Sequence, residues 1–466
     1  EVAVGAGVAL EASRSGFDVG MPVYARDVLG PGASTEFYAA LHVGQGAAML
    51  LLSGGGLGGL VSAPLAFGAL AAAYATLALL PSSLHLLSSS TPVLGAVAVL
   101  GFGTALASVS TTVLLQLRGG RGGPGRTAAR SHLHAAYRVA GILTRIVLPV
   151  LIGMSLEARP KAGGGDEAAA AAGGDAAFRH VRFFGALAAF LAVFAAVAQA
   201  YACWFGPKVG ATTSDRIAEP DNAKSTSSSA SSASSTAGHL KWRRIWAYCI
   251  AVSLPNTAGG IVRSLLGVRL LEGRASESTT FFSNTHAVAQ CGAMLAVICV
   301  SAGVVAGPRN RTWWRVLLLQ AGTMVLTSCA MGMITSSSVA VSVLFVVFRA
   351  AEESAKLSNT MLLGGLCENL QHPAGSEDER GTADKIGSVG KKAALLAKAV
   401  ALQKTIGSVL KICSSLLCSV SVRTMGVNAT LLMGSGVCAL GAAWIAKIMP
   451  VAVAAAVKKG KAQKSE

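Results

Sequence analysis

Charged side chains in apolar surroundings are the residues of this sequence best placed to do chemistry. Asp18 lies in an apolar stretch near the start and Arg263 in another past the middle. Arg349, Glu352 and Glu353 share a third, where spacings of three and four put either carboxylate on the helix face of Arg349. Arg145 and Lys411 close a repeated pattern, Arg138-x-x-Gly141-x-x-x-Arg145 and Lys404-x-x-Gly407-x-x-x-Lys411, with two helical turns between the basic residues. A charge held away from water is costly, so it marks a site where charge is bound or moved. Carboxylates in such places carry protons, and guanidinium or ammonium groups bind anions or restore a carboxylate to its ionised form. Arg145 and Lys411 either snorkel to the membrane edge or give an anionic solute a cationic path. Gln45 and Gln290 offer hydrogen bonds to a neighbouring helix or to a solute. His42 and His286, close by, read as bonds between helices.

No catalytic constellation accompanies these residues. The sequence has no Gly-x-Ser-x-Gly elbow and no His-Glu-x-x-His pair, and its Gly-rich runs at 54–59 and 119–125 lack the Lys-Ser/Thr ending of a phosphate loop. The nine cysteines form no Cys-x-x-Cys pair and lie mostly in apolar stretches, so no disulfide framework, metal site or cofactor is expected. Asn310-Arg-Thr and Asn428-Ala-Thr match the glycosylation pattern. Neither is expected to be used, the first for facing the cytoplasm and the second for lying too close to a span.

Membrane helices are the elements expected to hold these side chains. Hydrophobic residues make up 52% of the 466 and charged ones 13%, against about 25% charged in a soluble chain. The net charge of +17 comes from basic residues between apolar segments and in the tail, a pattern that sets topology rather than binding nucleic acid. Taking about twenty apolar residues per crossing, the spans fall at 3–25, 38–60, 63–81, 93–117, 134–156, 182–205, 243–267, 283–306, 313–335, 338–360, 399–421 and 426–449. They are numbered 1 to 12. A Ser/Ala-rich segment at 206–242 reads as a disordered linker, and a polar loop occupies 368–392. The expectation is an all-α membrane protein of twelve transmembrane helices. It comprises a six-helix bundle over 1–205, the linker, a second six-helix bundle over 243–457 and a basic tail at 458–466. Arg118, Arg121, Arg126, Arg130 and Arg138, with no acid among them after span 4, place that loop and both termini in the cytoplasm.

The two bundles are expected to be related by a repeat. Phe37 to Leu50 aligns with Phe282 to Leu295 at a constant offset of 245 (282 less 37), with Phe37/Phe282, Gln45/Gln290, Ala48/Ala293, Met49/Met294 and Leu50/Leu295 identical. The same offset sets Asp18 opposite Arg263. A pseudo-two-fold axis would bring these opposite charges towards a central cavity, where they are expected to form or exchange a salt bridge.

Six helices, a polar cytoplasmic linker and six more helices, with both termini inside, resemble the major facilitator superfamily. That family often carries Gly-x-x-x-Asp-Arg-x-Gly-Arg-Arg between spans 2 and 3 and a weaker copy between spans 8 and 9. Here Gly54–Pro64 has neither Asp nor Arg, and the second copy keeps only Gly303 and Arg311. The resemblance implies two bundles that rock about a solute bound near the midplane, with spans 1, 4, 7 and 10 lining the cavity. On this basis the chain is expected to be a secondary transporter or facilitator, not an enzyme, and to work as a monomer in the bilayer. Its solute is expected to be a small organic anion or metabolite, because Arg145, Arg263 and Lys411 outnumber Asp18, and a coupled proton fits the carboxylates. Two alternatives stand beside this: a non-transporting derivative of the same fold, which the missing loop motif favours, and a lipid-modifying enzyme, which the lack of paired catalytic residues disfavours.

Overall fold

The computed structural model describes residues 33–54, 91–118, 231–271, 279–305, 309–334, 337–371 and 382–462, with eight residues between 139 and 150. Spans 1, 3 and 6, and Asp18 with them, lie outside the described residues. All regular structure among the described residues is helical. The helices are α1 (Ala33–Gly54), α2 (Thr91–Arg118), α3 (Ser231–Leu271), α4 (Thr279–Val305), α5 (Arg309–Met333), α6 (Ser338–Gln371) and α7 (Thr382–Ala462). They correspond to spans 2, 4, 7, 8, 9 and 10, with spans 11 and 12 both inside α7.

Lipid cannot hydrogen-bond a backbone, so an apolar chain meets that need within each helix. Trp242–Leu271, Thr280–Ala302, Thr312–Met333 and Ala399–Ile448 are long and apolar enough to cross a membrane. Their outer faces suit hydrocarbon: Leu319 and Leu326, two turns apart on α5, are each 72% exposed. At 50 residues the last stretch is twice the length of one crossing. It folds back at Gly426, where φ is 81° and ψ 172°. Ser421 Oγ lies 3.9 Å from Met433 Sδ, whereas twelve residues of straight helix would span about 18 Å. That backbone region is essentially closed to other residues. Gly426→Ala is therefore expected to cost about 1–3 kcal/mol, read as a lower melting temperature of the detergent-solubilised chain.

Two helices run into segments that the sequence suggested were irregular. α3 starts at Ser231, inside the segment expected to be disordered over 206–242; α7 starts at Thr382, inside the polar loop, and continues into the basic tail as far as Ala462. The apolar span supplies the helix nucleus, and Ala, Lys and Ser then extend it at little cost. The remainder of the expected linker, 206–230, lies outside the described residues.

α3, α5, α6 and α7 pack around two apolar clusters. One gathers Leu265, Met324, Phe345, Phe348 and Cys438; the other gathers Tyr248, Trp314, Leu317, Leu363 and Ile445. The charged run of α6 falls between them, after Phe348 and before Leu362. Val139, Ile142 and Ile146 of span 5 pack with Val297 of α4 and Leu357 of α6, which brings Arg145 to the same level. α1 crosses α2 at two reciprocal glycines and runs antiparallel to the first part of α7. Along the α1–α7 seam Arg423 Nη2 meets Glu36 Oε1 at 2.5 Å and His42 Nδ1 meets Ser415 Oγ at 2.8 Å. Lys404 Nζ donates to Ser108 Oγ of α2 at 2.9 Å.

Candidate functional site

α6 gathers four charges in two turns, three of them buried and Lys356 partly exposed. Arg349 donates to Glu352 one turn on and to Glu353 Oε1 at 3.1 Å. Lys356, a turn further, reaches both carboxylates, Glu352 Oε1 at 2.9 Å and Glu353 Oε1 at 2.7 Å. Spacings of three and four residues make these contacts local to one helix face. The face is turned inward: Arg349 is 2% exposed and Glu352 0%. Charges this deep persist only where partners compensate the lost hydration.

Two further cations come from neighbouring segments. Arg263 Nη1 of α3 lies 3.4 Å from Glu352 Oε1, and Arg145 Nη1 of span 5 lies 3.7 Å from Glu353 Oε1. The approach of α3 depends on Gly259, one turn before Arg263. A Cβ there would sit 2.8 Å from the Glu352 carboxyl, so only the bare backbone admits that carboxylate. Gly259→Ala is expected to push Glu352 off Arg263 and Lys356. The added methyl group should cost about 1–3 kcal/mol, as overpacking usually does, measured as a lower melting temperature of the detergent-solubilised chain.

The described residues thus bring Arg145, Arg263, Arg349, Lys356, Glu352 and Glu353 into one cluster drawn from three segments. Asp18, expected opposite Arg263, lies outside the described residues; among the described residues, Glu352 is a carboxylate that meets Arg263. Lys411 lies beside Gly260 and His42: a Cβ on Gly260 would meet Lys411 Cγ and His42 Cε1 at 4.0 Å each. Gln45 and Gln290 are both buried, and Gln290 Oε1 has no hydrogen-bond partner among the described residues. His286 packs edge-on against Phe282 and Phe345, with ring centroids 4.7 and 5.3 Å away. His42 joins α1 to α7 through Ser415.

Sequence reasoning missed two features. Lys356 stands near the end of an apolar run, where a Lys ordinarily marks the water boundary; its spacing of four and three from the two glutamates was the available signal. A neutral polar layer one turn beyond had no such signal. Tyr248 Oη of α3 donates to Asn359 Oδ1 at 2.6 Å, and Ser358 Oγ donates to Gln320 Oε1 of α5 at 3.1 Å. These bonds join residues far apart in the chain. The Asn428 pattern is unsuited to modification in this fold, since Asn428 Oδ1 accepts from Arg269 and Thr430 is fully buried.

No protein-family model matches the sequence, and no curated protein matches it. Solved structures do. The nucleoside transporter NupG superposes with a TM-score of 0.58 at 10% identity, over 96% of this chain and 98% of that one. A single-residue variant of NupG gives 0.58 at 10%, over 96% and 100%. The E. coli fucose:proton symporter FucP, also as a variant, gives 0.56 at 11%, over 96% and 97%. At such low identity the likeness speaks for architecture alone: the chain shares the all-helical fold of these transporters.

Proposed function

We propose that this chain is a secondary transporter that moves a small solute by alternating access, with the buried ion cluster as its solute- and proton-handling site. The observation that carries the reading is the convergence of six charged side chains from span 5, α3 and α6 at a depth where membrane proteins keep charge only for use. The moving parts are two six-helix bundles, 1–205 and 243–457, either side of the segment 206–242. The repeat supports that division. Phe37 and Phe282 are 2% and 1% exposed, while Leu50 and Leu295 are 60% and 59% exposed, so equivalent residues face core and surroundings alike. Arg145 with Glu353, Lys404 with Ser108 and His42 with Ser415 are then contacts between bundles, which must break and reform as the bundles rock.

Within the cluster Glu353 and Glu352 serve as proton carriers, and the guanidinium groups hold an anionic solute or return a glutamate to its charged form. Asp18 takes its place as an alternative partner of Arg263 in another state of the cycle. The solved relatives in fold are a nucleoside transporter and a fucose:proton symporter, which supports a small solute and a coupled proton without fixing either. The test is uptake by the full-length chain in proteoliposomes, with and without a pH gradient, for wild type, Glu352→Gln and Glu353→Gln. Gradient-driven uptake should vanish in at least one variant. Undiminished coupling in both would remove the carboxylates from proton handling, and no uptake of any solute class would leave the non-transporting reading standing.

A further inference from the structure

We infer that Lys356 is the group through which the buried glutamates of α6 exchange protons with water, a step that rests on the proton-carrying role proposed above for Glu353 and Glu352. Lys356 Nζ lies 2.7 Å from Glu353 Oε1 and 2.9 Å from Glu352 Oε1, the separations of charge-assisted hydrogen bonds. An ammonium has three N–H donors, so one remains after both carboxylates are met. The Lys356 side chain is 27% exposed, whereas Glu353 is 5% and Glu352 0% exposed. A membrane protein does not leave an ammonium against hydrocarbon, so this exposed surface faces water. Lys356 therefore touches both the proton carriers and the medium that supplies the proton.

On α6 the two glutamates lie between unlike cations. Arg349, on their N-terminal side, donates to both and is 2% exposed. A guanidinium keeps its protons at any pH a protein meets, so Arg349 closes that side to proton movement. Lys356, on the C-terminal side, carries an amine, which gains and loses a proton far more readily in a protein interior. Arg263 and Arg145, which approach Glu352 and Glu353 from α3 and span 5, are guanidinium groups too. Among the described cations of the cluster, Lys356 alone is equipped to pass a proton on. The step balances without any oxidant or reductant. The Nζ–H bond facing Glu353 breaks and an Oε1–H bond forms, leaving a neutral amine beside a neutral carboxylic acid. A hydronium ion or buffer acid on the exposed side then protonates the amine lone pair and becomes water or buffer base. The reverse order unloads the carrier.

The test uses the full-length chain. In folded wild type at alkaline pH, reductive methylation by formaldehyde and borohydride should mark Lys356, read by peptide mass spectrometry. After a rapid drop in pH, the infrared band of a carboxylic acid should appear in wild type and be missing in Glu353→Gln. In Lys356→Arg that band should grow at least about a hundredfold more slowly, the low end for a positioned proton-transfer group. Arginine keeps the charge, so an ammonium that only neutralises the glutamates would leave the rate unchanged. Lys356→Gln should be as slow, and melting temperatures show which variants fold. Uptake of fucose, uridine, lactate and succinate into proteoliposomes supplies the transport readout, and Lys356→Arg should lose the part driven by a pH gradient. Lys356 left unmodified in folded wild type, or a wild-type rate in folded Lys356→Arg or Lys356→Gln, would overturn the inference and leave Glu353 as a carrier. A wild type without a Glu353-dependent acid band would overturn it together with the proton-carrying reading.

Discussion

Glu352→Gln will destabilise the folded chain by about 3–5 kcal/mol, the usual cost of removing one partner from a buried ion pair, and will abolish the transport proposed above. Glu352 is fully buried and faces Arg349, Arg263 and Lys356. Glutamine fills nearly the same volume, so the loss is electrostatic: three cations remain close together with Glu353 as their only described counter-charge. A second substitution separates stability from function. Arg263→Gln in the same chain removes one of the stranded cations and should recover about 1–3 kcal/mol, the coupling typical of residues in one network. It should recover none of the proposed transport, because the double variant has lost both the carboxylate and the guanidinium of the proposed site. Melting temperatures of four detergent-solubilised proteins (wild type, two singles and the double) give the coupling, and uptake gives the activity. Strictly additive stability losses would mean that Arg263 and Glu352 do not interact in the folded chain.

The cluster was partly legible because its core is local. Arg349, Glu352 and Glu353 lie within one helical turn, and spacing alone puts them on one face. Their partners were harder to see. The repeat set Arg263 opposite Asp18, which lies outside the described residues; it gave no sign that the tertiary packing of α3 on α6 also brings Glu352 to Arg263, a packing that hinges on the absence of a side chain at Gly259. Periodicity carries no record of such an approach. Lys356 misled for another reason. A Lys near the end of an apolar run ordinarily marks the water boundary, yet α6 continues to Gln371 and packs Leu357, Leu362 and Leu363 beyond it. Most span positions followed from hydrophobic length alone, because lipid demands it. Helix ends did not, since polar residues extend a helix freely once the apolar part has formed it. His42 and Ser415 stand 373 residues apart, so no local pattern joins them.

Gly44→Val should be among the most damaging substitutions outside the charged cluster, costing more than about 3 kcal/mol, the upper end of ordinary overpacking. A Cβ at Gly44 would lie 1.7 Å from the carbonyl oxygen of Ala98, and one at Gly101 would lie 2.0 Å from that of Leu41. Both obstacles are backbone atoms, so no rotamer change relieves them; α1 and α2 must part. Bare backbones at this range gain dispersion and weak Cα–H···O contacts that a membrane interior does not supply otherwise. The two glycines serve a single crossing, three residues apart on each helix, and this fixes how the variants combine. Once Gly44→Ala has forced the helices apart, Gly101→Ala meets little further resistance, so the double variant should lose clearly less than the sum of the singles. Gly95 of α2 is the control: nothing lies within 4 Å of its added Cβ, and Gly95→Ala should be neutral or gain up to about 1 kcal/mol from helix propensity. Transport should fall with the crossing, because α1 presents His42 to Ser415 and α2 presents Ser108 to Lys404. Thermal unfolding of the four single glycine variants and the double decides the matter. A Gly44→Val chain that melts with the wild type would show that α1 and α2 do not meet at these glycines, and the seam they form with α7 would lose its support.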